Sequence, residues 1–235
     1  MEPNLNKHYI PGADGDTYYE DHSMKSESVD IYFRNIEDAL LKKIRDYKDG
    51  IVFGCVAWLT NERILSALAE CNAVQIVVQK EDFLRPDFKT QAQGWKERLR
   101  RNYNKLKFPY ERHMLRYPVR ELSFCNGPDV ESVVCMGNHN SEKVPAWPRM
   151  HNKFLVFCTI INENDDGAVK YAADSVWTGS FNFTKNSTNS LENAVFIKNN
   201  EIAEAYLSEH HFIFGMSERL DWESQWVEPQ YRIGS

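Results

Sequence analysis

Two polar side chains open an otherwise apolar stretch of the sequence, RMHNKFLVFC at residues 149–158. His151 and Lys153 lie two residues apart, so they project to the same face of the β-strand that the aromatic and branched residues predict. A buried ammonium without a partner is costly, so Lys153 should reach solvent, an anion or a carboxylate. The pair fits either an exposed strand end without function or a phosphate site in which His151 acts on phosphorus.

A second polar group follows in VWTGSFNFTKNSTNSLENAVFI, residues 176–197. Gly179 ends a predicted strand, and the turn after it offers the Ser180 hydroxyl, the Asn182 amide and free backbone N–H groups, a set that favours an anion. Glu192 precedes the next predicted strand and is a candidate to accept a hydrogen bond from His151 and fix its tautomer. Together these residue types fit nucleophilic catalysis by histidine at a phosphoryl group.

A basic segment, residues 95–120, stands out from a chain whose formal net charge is −6. It contains nine Lys or Arg and two acidic residues, interleaved with five aromatic residues. Cations that neutralise phosphates beside rings that stack on bases are typical of a nucleic-acid surface. The alternative is a solvated helix face, since most charge runs have no further role. On the first interpretation, Lys105, Lys107 and Arg112 are predicted to bind substrate.

Alternating strand and helix patterns organise the first third of the chain. A strand at 29–34 is followed by a helix at 35–50, a strand at 51–59 that is apolar enough to be buried on both sides, a helix at 60–71 and a strand at 73–80. Asn35 and Thr60 are the predicted N-caps of the two helices. This order predicts an α/β fold with right-handed crossovers. Further strands are predicted at 130–137, 170–179 and 193–199, and a closing helix at 201–217.

The remaining segments define the expected organisation. Residues 1–28 lack an apolar core and are predicted to be a flexible N-terminal tail rather than a signal peptide. Residues 29–235 are expected to form the catalytic domain, with a basic helical insertion at about 81–120. No linker or tandem repeat indicates a further boundary.

Composition excludes several classes of protein. The longest apolar run has nine residues, far short of the roughly 20 needed to span a bilayer, so no membrane partner is expected. Five cysteines without paired spacing fit a reducing cytoplasm better than a disulfide framework. Cys125, Cys135 and His139 lack the spacing of a zinc site, and we expect neither a metal nor a cofactor.

Three features in order, His151-x-Lys153, Gly-Ser-x-Asn at 179–182 and Glu-Asn-Ala at 192–194, resemble the phospholipase D superfamily. The resemblance is to its small single-motif members, the Nuc-type bacterial endonucleases, and is strongest over about 150–215. It implies a phospholipase D-like fold, with a central mixed β-sheet flanked by helices on both faces. It also implies metal-independent phosphodiester cleavage, in which His151 forms a phosphohistidine, Lys153 and Asn182 bind phosphate, Ser180 assists, and Glu192 orients the histidine.

The family reaction needs a second histidine, which protonates the leaving oxygen and later activates water. Because one chain carries one motif, the resemblance implies a homodimer in which two copies share one cleft. The sequence departs from the family pattern His-x-Lys-x4-Asp at Cys158, where the family has an aspartate with a mainly structural role. Asp174 is a candidate to compensate across the predicted hairpin at 159–174. The acidic tip of that hairpin is expected to lie away from the cleft, where it would not repel a polyanion.

Three functions stay open from the sequence. The first is an endonuclease acting on DNA or RNA, favoured by the basic segment and the intact His, Lys, Asn and Glu set. The second is a phospholipid phosphodiesterase of the same superfamily, which would need an interfacial apolar face. The third is a nucleic-acid-binding protein that kept the fold and lost catalysis with the aspartate.

Overall fold

The computed structural model describes residues 4–7, 9–10, 15, 17–18, 20–81, 84, 93–113, 120–124, 130–139, 147–163, 168–222, 224 and 226–229. The helices among them are α1 (Ile36–Asp46), α2 (Glu62–Ala69), α3 (Gln93–Tyr103) and α4 (Asn200–Gly215), with a 3-10 turn at Asn186–Asn189. The strands are β1 (Tyr9–Ile10), β2 (Thr17–Tyr18), β3 (Met24–Lys25), β4 (Val29–Tyr32), β5 (Ile51–Val56), β6 (Ala73–Gln79), β7 (Tyr110–His113), β8 (Arg120–Phe124), β9 (Val133–Met136), β10 (Lys153–Glu163), β11 (Ala168–Gly179) and β12 (Ala194–Lys198).

A mixed sheet forms the centre of the described structure. Its strand order is β3-β4-β12-β11-β10-β5-β6-β9, and β8 joins β7 to the outer part of β11. Strands β5, β6 and β9 are parallel, whereas β10, β11 and β12 pair antiparallel with their neighbours. Strands β1 and β2 form a separate hairpin. No helix in the described part of the chain is long and apolar enough to cross a membrane.

Helices cover both faces of this sheet, as predicted. On one face, α1, α2 and α3 bury Leu40, Ile64 and Leu99 in one cluster with Phe157 of β10. On the other face, α4 buries Leu207 against the opposite side of the same strands. All six residues of β5 are buried, which confirms the prediction of a central strand covered on both sides. The α/β class and the mixed sheet are therefore both confirmed.

The predicted N-cap position is confirmed for α1 and wrong for α2. Asn35 is the N-cap residue of α1, but it has a positive φ of 53° and its side chain does not cap the helix. Asn61, not Thr60, caps α2, and its side chain accepts from the backbone N–H groups of Arg63 at 2.9 Å and Ile64 at 3.3 Å. The backbone N–H groups of Thr60 and Asn61 both donate to the carbonyl of Phe183, so Thr60 is held in an extended connection before the helix.

The segment predicted as a helical insertion, 81–120, is helical only in part. After α3 the chain returns to the sheet at Lys107, whose carbonyl accepts from Val74 N at 2.6 Å. It then forms β7, because Phe108 and Tyr110 bury their rings in the cluster beneath α4 and hold the chain extended. Residues 82–83, 85–92 and 114–119 lie outside the described residues.

Parts of the predicted tail contact the domain. Asn6 is buried, its side-chain oxygen accepts from Ile36 N at 3.0 Å, and Leu5 N donates to the Asn189 carbonyl at 2.9 Å. Strand β3 also pairs with β4. These described residues are therefore not a free tail, because their polar groups are satisfied by the domain. The domain boundary at residue 28 stays a prediction.

Candidate active site

The predicted catalytic residues meet at one edge of the sheet, which we call the site edge. Strand β10 begins at Lys153, opposite the end of β5, and β11 ends at Gly179 beside the start of β12 at Ala194. Because these neighbours are antiparallel, the start of β10, the end of β11 and the start of β12 lie together. The site edge therefore collects His151 and Lys153 before and at β10, Ser180 after β11, and Glu192 before β12.

His151 is exposed and lies directly beside Lys153. The Lys153 Nζ lies 3.3 Å from Nδ1 and 3.4 Å from Nε2 of the imidazole, and it donates to the His151 carbonyl at 3.0 Å. The Trp58 and His151 rings pack nearly perpendicular to each other, with their centroids 5.8 Å apart. Partial burial, followed by the positive charges of Lys153 and Arg149, lowers the pKa of His151 below its usual 6.5. The imidazole is therefore neutral at pH 7 and keeps a lone pair for nucleophilic attack.

The turn after β11 is held by a closed set of hydrogen bonds. The Ser180 hydroxyl donates to Glu192 Oε2 and accepts from Asn193 N at 3.0 Å, while Ser180 N donates to the Asn193 carbonyl at 3.1 Å. Gly179 has a φ of +152°, and a Cβ there would collide with the Asn193 carbonyl, so this position requires glycine. The turn therefore holds the Ser180 hydroxyl at the site edge.

Glu192 has a different partner from the predicted one. Its carboxylate binds Ser180, and no hydrogen bond joins it to His151 in this structure, where both side chains are described. Its negative charge acts on Lys153 instead: burial lowers the pKa of Lys153, and Glu192 opposes that shift. The carboxylate lies close enough to Lys153 to favour the charged ammonium.

Asn182 lines a cavity rather than contacting His151. Its side-chain oxygen is buried without a hydrogen-bond partner among the described residues. Trp58 and Arg149 line the same cavity, whose volume is about 1070 Å³. Because Trp58 also contacts His151, the cavity adjoins the histidine.

The backbone around His151 is fixed on both sides by the neighbouring strands. Met150 N donates to the Gln79 side-chain oxygen at 2.7 Å, and the Asn152 carbonyl accepts from Ala57 N at 2.8 Å. The Gln79 amide nitrogen donates in turn to the carbonyls of Asn138 at 2.9 Å and Lys80 at 3.1 Å. Gln79 thereby connects the ends of β6 and β9 to the segment that carries the histidine.

Sequence reasoning missed three residues at this site: Trp58, Gln79 and Arg149. Trp58 follows a buried strand by two residues, and Arg149 precedes His151 by two, so strand-end reasoning could have found both. Gln79 carries only a weak signal, an amide at the end of the mostly apolar AVQIVVQ strand.

The structure does not bring Lys105, Lys107 and Arg112 to His151. Lys107 bonds to Val74 at the start of β6, the end opposite the site edge. In the register of the sheet, the first residue of β6 aligns with a residue of β10 that is five positions beyond Lys153. At about 3.3 Å per residue, this separation is about 17 Å. Arg112 lies in β7, which reaches β11 through β8 at Ala168–Tyr171, far from Gly179. Substrate binding by these three residues stays a prediction, and it concerns a surface remote from the histidine.

Cys158 and Asp174 lie on opposite faces of the sheet. Cys158 is fully buried in the cluster beneath α4, opposite Ile51 and five residues beyond Lys153. Asp174 sits at an irregularity in the β10–β11 pairing and accepts from the hydroxyl of Tyr47, on the α1 face. Asp174 therefore does not take the place of an aspartate at 158. Since Cys158 is remote from the site edge, the substitution leaves the site's charges unchanged.

Other candidates do not join the site. His210 and His211 of α4 are buried against Phe53, and His139 is buried against Trp222. No group of three or more His, Cys, Asp or Glu suited to a metal ion occurs among the residues that the structure describes. Cys125 and the hairpin tip at 164–167 lie outside them. The strand ends that flank the tip are at the edge opposite His151.

Comparison with known proteins gives a consistent result. Residues 40–212 match the model of the family described as "Cardiolipin synthase, PLD-like domain". An uncharacterized protein of Acanthamoeba polyphaga mimivirus is 31% identical over 210 residues, which cover 86% of this chain and 71% of the viral protein.

Among solved structures, the phospholipase D family member Nuc from Salmonella typhimurium is 19% identical with a TM-score of 0.47, over 84% of this chain and 99% of Nuc. NucT from Helicobacter pylori is 13% identical with a TM-score of 0.48, over 80% of this chain and 96% of NucT.

Proposed function

Since the chain belongs to the phospholipase D-like family, whose domain is of the phosphodiesterase type, we propose that it is a metal-independent endonuclease that cleaves DNA or RNA through a phosphohistidine at His151. The observation that carries the proposal is the state of that imidazole. It is exposed, its backbone is fixed on both sides, and its lowered pKa keeps it neutral beside the Lys153 ammonium. A neutral nucleophile next to a cation is the arrangement that attack on a phosphate anion requires.

In the first step, an imidazole nitrogen of His151 attacks phosphorus with its lone pair. The N–P bond forms as the bond from phosphorus to the leaving sugar oxygen breaks, and an acid gives that oxygen a proton. Lys153, Ser180 and Asn182 bind the non-bridging oxygens, where negative charge is concentrated in the transition state. In the second step, water attacks the phosphohistidine, its proton passes to the base formed in the first step, and the N–P bond breaks.

We propose that the acid that serves both steps comes from a second copy of the chain. Of the histidines whose side chains the structure describes, His22 lies at the site edge but beside β3, four strands from β10. At about 4.8 Å per strand, β3 and β10 are about 19 Å apart. We therefore propose a homodimer that contributes two copies of His151 to one cleft. Mixing wild-type chains with an excess of His151→Ala chains, under conditions that allow subunit exchange, tests this. Activity per wild-type chain should fall with dilution, whereas a self-sufficient monomer would keep it constant.

Nucleic acid is the favoured substrate because polar, charged and aromatic residues line the cavity beside His151, whereas the acyl chains of a phospholipid would need aliphatic residues. The alternative of a protein without catalysis rests on Cys158, and that residue is buried away from the site edge. The four described cysteines are buried and form no disulfide with one another, which supports the proposal of a reducing, cytoplasmic setting. No cofactor has a role in the proposed reaction.

A substrate panel tests the proposal. Wild-type protein in excess EDTA is incubated with labelled single- and double-stranded DNA and RNA, and with phosphatidylglycerol vesicles. We expect nucleic-acid cleavage that His151→Ala abolishes, while the control His22→Ala, an exposed histidine remote from the site, keeps it. Turnover of the lipid alone, or salt-sensitive nucleic-acid binding without any cleavage, would contradict the proposal.

A further inference from the structure

The cavity beside His151 is larger than a phosphate group requires. Its volume of about 1070 Å³ lies at the upper end of the roughly 300–1,000 Å³ typical of small-molecule sites. Two of its lining residues connect it to the reaction centre: Trp58 contacts the His151 ring, and the charge of Arg149 acts on the same imidazole. A substrate whose phosphate is at His151 would therefore extend a neighbouring group into this space.

The walls of the cavity are suited to a polar, planar group. The lining includes the 184–190 segment with its hydroxyl and amide side chains and, before α2, Thr60 and Asn61. Two indoles, Trp58 and Trp95, also line the cavity. None of the described lining residues has an aliphatic side chain, so an acyl chain would find no matching surface. Hydrogen-bonding groups around aromatic rings are the features that bind nucleobases.

The Trp58 indole is held in place rather than free to rotate. Its Nε1 donates to Glu81 Oε1 at 3.1 Å, and its ring packs nearly perpendicular to that of His151. A fixed ring loses little conformational entropy when a base stacks on it. Trp58 is therefore the best-placed stacking surface next to the histidine.

The charges of the cavity fit one nucleotide better than a duplex. Arg63 is paired with Glu37 and with Asp38 at 2.9 Å, and Arg98 is paired with Glu62 at 2.9 Å. Two of the four cations that line the cavity are therefore already matched by carboxylates, and the other two, Arg149 and Lys185, are too few for a row of phosphates. A duplex backbone would need a series of unmatched cations along its path.

We propose that this cavity is a nucleoside subsite, which holds the base and sugar next to the scissile phosphate of a single-stranded nucleic acid, with the base stacked on Trp58. The inference rests on the proposed nuclease function and adds a substrate class, single strands, and a binding residue.

Binding to single-stranded oligonucleotides with and without bases tests the subsite. Fluorescence anisotropy in EDTA, with His151→Ala as the background to prevent turnover, compares a labelled oligothymidylate with an abasic oligonucleotide of equal length. Adding Trp58→Ala should weaken oligothymidylate binding about tenfold, from the loss of one stacked base, and leave abasic binding unchanged. Trp58→Phe should retain most of the affinity. Trp226→Ala, which removes an exposed indole outside the cavity, is the matched control and should have no effect.

The outcomes separate this inference from the proposed function. Equal binding of the two oligonucleotides, or an equal loss of both in Trp58→Ala, would overturn the subsite while leaving cleavage by wild type as evidence for the nuclease. Binding to phosphatidylglycerol vesicles with no binding of either oligonucleotide would overturn both. Thermal unfolding of every variant verifies that a lost affinity is not a lost fold.

Discussion

Replacing Gln79 with leucine should impair the site without touching any residue that contacts substrate. The Gln79 side chain is 2% exposed and makes three hydrogen bonds to backbone groups, one of them to Met150 N, adjacent to His151. Leucine has a similar volume but neither donates nor accepts. The change therefore removes the connection between β6 and the histidine segment while keeping the core filled.

The expected cost follows from the groups left without partners. Met150 is also buried, and a buried N–H without an acceptor costs about 1–3 kcal/mol. With the two carbonyls that lose their donor, we expect the free energy of unfolding to fall by about 3 kcal/mol. For a chain of this size that lowers Tm by about 6–12 °C. A displaced His151 should lower kcat about 10- to 100-fold with little change in KM, because attack on phosphorus depends on position.

Thermal unfolding and steady-state cleavage of a labelled oligonucleotide, well below the variant's Tm, measure the two effects. Gln75→Leu is the matched control, because Gln75 is equally buried in the same strand but lies four residues away, toward the edge opposite the site. It should leave kcat unchanged. A Gln79→Leu protein with wild-type kcat, or an equal loss of kcat in Gln75→Leu, would refute the positioning role.

Three further predictions follow from the same structure. The pKa of His151 measured by NMR titration should lie below 6.5, so that the neutral nucleophile is lost only as pH falls through this lowered value. Lys153→Met removes a positive neighbour and should raise the pKa of His151. Lys80→Met removes the cation that lies 2.7 Å from the buried Glu218 carboxylate. It should lower the free energy of unfolding, measured in urea, by about 3–5 kcal/mol, which is more than the loss in the double variant with Glu218→Leu. Lys107→Ala should leave cleavage of a short oligonucleotide unchanged, because its carbonyl bonds to Val74, which lies about 13 Å along the strands from the site edge; a large loss of kcat would show that this estimate misplaces the residue.

The fold was accessible from the sequence because its signals are local. The helical spacing of Leu40, Leu41 and Ile44 and the uninterrupted apolar β5 strand both reflect burial, and burial is what the structure shows. The caps were harder to predict, because Asn61 and Thr60 are both good cap residues. A distant contact distinguishes them. The Phe183 carbonyl accepts from the N–H groups of both residues and holds Thr60 in an extended connection, so that Asn61 is the cap.

The site was accessible only where its residues flank strand ends. His151, Lys153 and Ser180 meet because their strands are neighbours, which spacing and strand alternation suggest. The basic segment shows that composition reports charge and not position: Lys107 bonds to Val74 near the far end of β6, whereas Trp95 and Arg98 line the cavity beside His151. Gln79 acts through the backbone of Met150, a contact between residues 71 positions apart that no local pattern encodes.

Detection of the covalent intermediate tests the central claim most directly, that His151 is the nucleophile. Wild-type protein is mixed with a single-stranded oligonucleotide in excess EDTA, quenched within the first turnover in alkali, where phosphohistidine survives, and analysed by peptide mass spectrometry. We predict a phosphoryl adduct on the peptide that contains His151, absent from His151→Ala. Cleavage in EDTA that persists in His151→Ala would contradict the account, because attack by another group or by water would then break the phosphodiester bond.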